Sequence, residues 1–163
     1  MRINSATVVF QWLIVVALIV MAIAIIASTV SGGYERPIDG QGESQLRVGE
    51  TLYAAHCAAC HGANLEGQPN WRERLPNGRM PAPPHDASGH TWHHPDAVLF
   101  GITKEGLVPG RFAPPKYQSD MPGFGDTLSD DQIRAILAYI KSSWPERERE
   151  YQREVTRKYG TPR

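Results

Sequence analysis

Cysteine is scarce in this chain: two residues in 163, at positions 57 and 60. A pair that close cannot staple a domain of this size, so a disulfide framework is excluded. An excess of charge is missing too. Seventeen basic and seventeen acidic residues cancel, and nothing points to a nucleic-acid partner. No internal repeat is present, and no stretch alternates apolar and polar residues as a half-buried strand does. From Thr7 to Val30 (TVVFQWLIVVALIVMAIAIIASTV) charge is absent altogether.

That uncharged run is long enough to matter. As a helix it would extend about 36 Å, against roughly 30 Å of bilayer hydrocarbon. Residues 1–30 therefore read as an N-terminal membrane anchor with one transmembrane helix, because cleavable signal peptides have a shorter apolar core of about 7–15 residues. Ala27 and Thr29 supply small residues near its end, so cleavage is the competing reading. A buried soluble helix is disfavoured, since no face of the segment is polar. Arg2 and the terminal amine are the charges ahead of the run. They orient the chain N-terminus in, which puts the rest on the periplasmic side of the inner (cytoplasmic) membrane. Trp12 suits the interface. Residues 31–45 (SGGYERPIDGQGESQ) are polar and glycine-rich, and read as a flexible tether of about 20 Å.

Beyond the tether, helical patterns alternate with long irregular stretches. A first helix is expected from Arg47 to Cys57, with Val48, Leu52 and Ala55 on its buried face. Gly49 inside it costs about 1 kcal/mol relative to Ala, which suggests a close backbone approach. Residues 62–90 are irregular, with prolines at 69, 76, 81, 83 and 84. A helix is expected from His94, with Pro95 at its first position and Val98, Leu99 and Ile102 buried, ending at Gly106. The clearest helix spans Ser129 to Ser143. Ser129 and Gln132 form a capping box there, and Ile133, Ile136, Leu137, Ile140 and Trp144 make one apolar stripe. Residues 145–163 alternate charges at helical spacing and read as a charged extension. It is either a solvated helix with weak ion pairs or a docking helix for a partner or membrane surface, through Tyr151, Val155 and Tyr159.

The chemistry sits at Cys57-Ala58-Ala59-Cys60-His61. Cys-x-x-Cys-His is the attachment motif of haem c: two thiols add across two vinyl groups, and the following histidine becomes the proximal iron ligand. Three alternatives use the same residues. A thioredoxin-like redox pair needs a βαβ unit, for which no strand pattern exists. A zinc site would borrow His85, His90, His93 or His94. A simple disulfide has no use for His61. For a sixth iron ligand the candidates are Met80 and Met121. Met121 is favoured, because MPGFGD forms a rigid turn just before the capped helix, whereas Met80 lies in a stretch expected to wrap the proximal side.

Leu46 to Trp144 resembles a class I cytochrome c domain. The resemblance is carried by Gly49 and Tyr53 ahead of CAACHG, by PPHDASGHTW, by HPDAVLFGITKEG and by MPGFGDTLSDDQIRAILAYI. It implies an all-α fold around one covalent haem c, with the first and last helices crossing at Gly49 near Tyr139. It also implies a carbonyl in the Pro83-Pro84 region, assigned to Pro84, that accepts the His61 ring N–H. Where many relatives have a leucine after the prolines, packing on the haem, this chain has His85. His85, His90, His93 and His94 cluster around Trp92. His90, Trp92 and Arg79 are expected to hydrogen-bond the haem propionates or loop carbonyls, and a copper or zinc site is the alternative for the cluster. With His61 and Met121 on the iron no position is open, so the expectation is a carrier and not an enzyme. Such a carrier would pass single electrons between respiratory or photosynthetic membrane complexes, with no small-molecule substrate. A fixed haem subunit of a larger dehydrogenase or oxidase is the nearest rival, and a peroxidase with a vacated sixth site the third reading.

Overall fold

A computed structural model describes residues 11–23, 38 and 42–159. It divides into two units, Met1–Gly33 and Tyr34–Arg163. In the first, residues 11–23 form helix α1, with every side chain exposed. Among the described residues no helix is long and apolar enough to cross a membrane. The apolar run Thr7–Val30 lies partly outside them.

The second unit is helical. Its elements are α2 (Glu43–His56), α3 (Ala58–His61), a 3-10 turn (Thr91–His93), α4 (Asp96–Glu105), α5 (Asp130–Ser142) and α6 (Glu146–Tyr159). No strand occurs among the described residues, only an isolated bridge between Pro109 and Ala113. The expected all-α fold is thus observed for the domain, with adjusted boundaries. Helix α2 begins four residues before Arg47, capped by Gly42, and Pro95 is the N-cap of α4 instead of its first residue.

Helices α2 and α5 cross at Gly49. A Cβ there would lie 2.7 Å from the Ala135 carbonyl carbon and 2.9 Å from the Tyr139 Cβ, so only hydrogen fits. This crossing decides which face of α2 is buried. Gly49 and Tyr53 are inside, whereas Val48, expected inside, is 50% exposed and Ala55 is exposed. Helix α5 follows its pattern. Ser129 caps it through the reciprocal bonds with Gln132, and Ile133, Ile136, Leu137, Ile140 and Trp144 are all buried. They pack with Tyr53, Leu65, Leu99, Phe100 and Leu128. In α4 the core is met by Ala97, Leu99 and Phe100, while Val98 and Ile102 are only half-buried. Arg134 adds its guanidinium 4.7 Å above the Phe100 ring.

Ile38 and helix α6 are both bonded to the start of α4. Ile38, within the expected tether, is 2% exposed, and its N–H donates to the Asp96 carboxylate at 2.9 Å. The same carboxylate accepts from Lys141 Nζ at 2.8 Å and from Gln152 Nε2 at 2.7 Å. Helix α6 therefore docks on its own domain through a polar residue, Gln152, which is completely buried. Thr156 Oγ1 also accepts the Asp96 N–H. Of the stripe expected to face a partner, Tyr151 and Tyr159 are exposed, though Tyr151 packs edge-on against Trp92. The expected ion pairs are present, Glu146 holding both Arg149 and Arg153.

Candidate functional site

The Cys57–His61 segment is a tight helical corner. Cys57 ends α2 with its N–H on the Tyr53 carbonyl, and α3 turns immediately so that the His61 N–H reaches the Cys57 carbonyl at 2.9 Å. Tyr53 pins the corner from below, its hydroxyl donating to the Gly62 carbonyl at 2.9 Å. Burial, with the Cys57 thiol adding to it, pushes that phenol well above its ordinary range, so it stays a donor. Both thiols are free. Burial, together with neighbouring Cys60, pushes the Cys57 thiol up to about 11, which keeps its proton on at neutral pH.

His61 is buried, and its Nδ1–H donates to the Pro83 carbonyl at 2.9 Å. That bond leaves Nε2 carrying the ring's lone pair, as a metal ligand requires. Burial lowers the His61 pKa, with the Pro83 bond opposing it, so the imidazole is neutral and ready to coordinate. The acceptor is Pro83 and not Pro84. The Pro84 carbonyl lies instead 3.4 Å from the Thr91 hydroxyl. Gly67 (φ +70°) packs against this pair, where a Cβ would stand 2.7 Å from the Pro83 carbonyl carbon.

The residue after the prolines meets the ring of His61 directly. His85 stacks on His61, with ring centroids 4.0 Å apart and planes 18° apart. Its Nδ1 is 2.9 Å from Thr91 Oγ1, and its carbonyl accepts the Trp144 indole N–H at 2.7 Å. Burial, then the nearby His61 and His90 rings, hold His85 well below the usual imidazole range.

The other expected site residues are less concentrated. The Trp92 indole N–H donates to a loop carbonyl, that of Ala87, at 3.3 Å. Arg79 Nη1 is paired with Asp120 and reaches the Ser119 carbonyl. This ties residue 79 to the segment that leads into Met121. His90 stacks on Trp71, and its Nδ1 is buried with no hydrogen-bond partner. That is the orphan atom expected of a group awaiting an external acceptor such as a propionate. Among the described residues no group of three or more His, Cys, Asp or Glu side chains could hold a metal ion. Met121 is half-buried, and its N–H bonds Ser119 Oγ at 3.0 Å. The turn after it is stitched to the end of α4, Phe124 N–H to Thr103 and Gly125 N–H to Lys104.

Two free thiols, a buried neutral imidazole with its Nδ1–H already satisfied, and an orphaned histidine nitrogen together fit a covalent haem. The family model for Cytochrome c matches residues 46–144. No curated protein and no solved structure matches the chain.

Proposed function

The chain belongs to the cytochrome c family, and on that premise we propose that it is a membrane-tethered, periplasmic carrier of single electrons between respiratory or photosynthetic membrane complexes. The family implies a covalently attached haem c and electron transfer. When bound, the haem supplies a one-electron ferric/ferrous couple.

The observation that carries the reading is the His61–Pro83 bond beside two unpaired thiols. Cys57 and Cys60 would hold the ring through thioethers, and His61 would offer Nε2 to the iron. Pro83 holds the imidazole in its Nδ1–H tautomer. Met121 would supply a neutral thioether to the iron, which favours the reduced state and would leave no iron position open to substrates. The apolar run at 7–30 supports a tether, which raises the carrier's effective concentration near its partners.

The test uses the full chain expressed with a haem-attachment apparatus. Membrane-fraction haem, released by protease added to spheroplasts, is the expected result. Haem in the soluble fraction of washed cells overturns the tether. Stable co-purification with a larger enzyme in mild detergent, lost on deleting residues 146–163, overturns the free-carrier reading in favour of a fixed subunit.

A further inference from the structure

We propose that His85 is the positioning residue of the proximal ligand: stacked on His61, it fixes the plane of the ligand ring. The inference rests on the haem reading of His61 given above. The Pro83 carbonyl holds one atom of the His61 ring, at 2.9 Å. One hydrogen bond leaves the ring free to rock about the line of that bond. A flat partner against its face removes this freedom, and His85 is that partner, 4.0 Å away and 18° from parallel.

His85 can serve as a reference plane because it is itself held at several points. Its N–H donates to the Leu65 carbonyl at 2.7 Å, and its own carbonyl accepts from Trp144 at 2.7 Å. Its ring is tied through Nδ1 to Thr91 Oγ1 at 2.9 Å. Thr91 in turn donates to the Pro84 carbonyl, so its oxygen receives the His85 Nδ1–H. Tyr53 meets the ring edge-on, with centroids 6.3 Å apart. A leucine here, as in the many relatives that this domain resembles, would fill the volume without defining a plane.

The plane matters electronically. An axial imidazole has one filled π orbital normal to its ring, and it overlaps two iron d orbitals unequally, according to the ring's rotation about the iron–nitrogen axis. That inequality appears in the g-values of the ferric state, and a ring free to rock spreads them into broad lines.

The experiment is ferric EPR of the full chain with haem attached, with the reduction potential measured alongside. His85→Leu is expected to shift and broaden the g-values and to displace the potential. His85→Phe, which restores a stacked ring, is expected to recover sharp lines near the wild-type positions. Thr91→Val keeps both rings but releases His85 from its tie, and should broaden the lines in the same sense by less. It also serves if His85→Leu fails to mature. Unchanged g-values and widths in Thr91→Val and in any matured His85→Leu protein overturn the proposal. So does a broadened His85→Leu spectrum that His85→Phe leaves equally broad, because stacking is then not the cause. A wild-type chain that takes up no haem overturns the reading of His61 beneath it instead.

Discussion

Gly49→Ala is a demanding test of the domain's architecture, because it adds one methyl group where two backbones meet. The added carbon would lie 2.7 Å from the Ala135 carbonyl carbon and 2.9 Å from the Tyr139 Cβ. Carbon atoms in contact sit about 3.5–4.0 Å apart, so α2 and α5 must part by about 0.8 Å or more. No rotamer relieves this, because the obstacles are main-chain atoms and a Cβ. Overpacking typically costs about 1–3 kcal/mol, and a backbone obstacle belongs at the upper end. Replacing glycine within a helix returns about 1 kcal/mol. The net loss is therefore about 2 kcal/mol. With a urea slope of about 1–3 kcal/mol per molar, the unfolding midpoint of the haem-loaded protein should fall by about 1 M, followed by circular dichroism. Gly101→Ala is the matched control. Its methyl would meet the far edge of the Phe112 ring, on a half-buried side chain beneath the exposed Arg111. That ring can swing aside, so the helix gain cancels most of the cost and the midpoint moves by less than half as much. A Gly49→Ala midpoint at or above wild type refutes the close crossing. Equal losses in the two variants would show that the backbone approach is not what matters.

Asp96→Ala should destabilise by about 3–5 kcal/mol, since it strands the largely buried Lys141 without its partner. Hydrogen exchange should accelerate along α6, and unchanged exchange there would refute Asp96 as its dock. Burial, then neighbouring histidines, lowers the pKa of His90 and of His94, and His90 also faces the Arg72 cation. The unfolded chain, with imidazoles near about 6.5, therefore binds protons that the folded chain refuses. Stability is full above about pH 6.5 and declines as pH falls below it. The urea midpoint should drop between about pH 7.5 and 5.5, the drop shrinking in a His90→Gln/His94→Gln double variant; an undiminished drop refutes the assignment. Met121→Ala should abolish the weak red absorption that thioether ligation gives ferric haem and let the ferrous protein bind carbon monoxide. Met80→Ala should do neither, and the reverse pattern would assign the sixth ligand to Met80.

What could be read from the sequence was what depends on neighbours in the chain. The Ser129–Gln132 capping box and the α5 stripe are complete within sixteen residues, and both are observed. Cys57 to His61 forms its corner from local bonds alone. The misreadings came where a distant partner decides. Periodicity placed Val48 inside, but the close approach of Ala135 turns α2 so that Tyr53 is buried instead. Ile38 is an isolated apolar residue in a polar, glycine-rich stretch, and no pattern announces a bond to Asp96, 58 residues on. Gln152 and Thr156 lie off the Tyr151, Val155 and Tyr159 stripe, so helical periodicity gives them no role. Gln152 is buried because the Asp96 carboxylate at the start of another helix takes its amide N–H, while the half-buried Thr156 accepts the Asp96 backbone N–H. The stack of His85 on His61 was hidden for the same reason, since a histidine after two prolines has no periodicity to interpret.

The choice of Pro83 over Pro84 as acceptor has a covalent explanation. Pro83 has its φ fixed near −65° by its own ring, and the proline that follows confines its ψ to the extended range. The direction of the Pro83 carbonyl is thus largely set before the chain folds, and orienting His61 costs little further backbone entropy. The Pro84 carbonyl is followed by His85, which imposes no such limit, and it is the weaker acceptor here, at 3.4 Å from Thr91. The next residue then joins three parts of the domain at one point. His85 donates its backbone N–H to Leu65 in the loop after the motif, accepts the indole N–H of Trp144 just beyond α5, and lays its ring against the ligand itself. An electron carrier works best when its ligand set does not rearrange as the iron changes charge. Here the rigidity comes from a pre-set carbonyl and a pinned imidazole, one on the edge of the His61 ring and the other on its face.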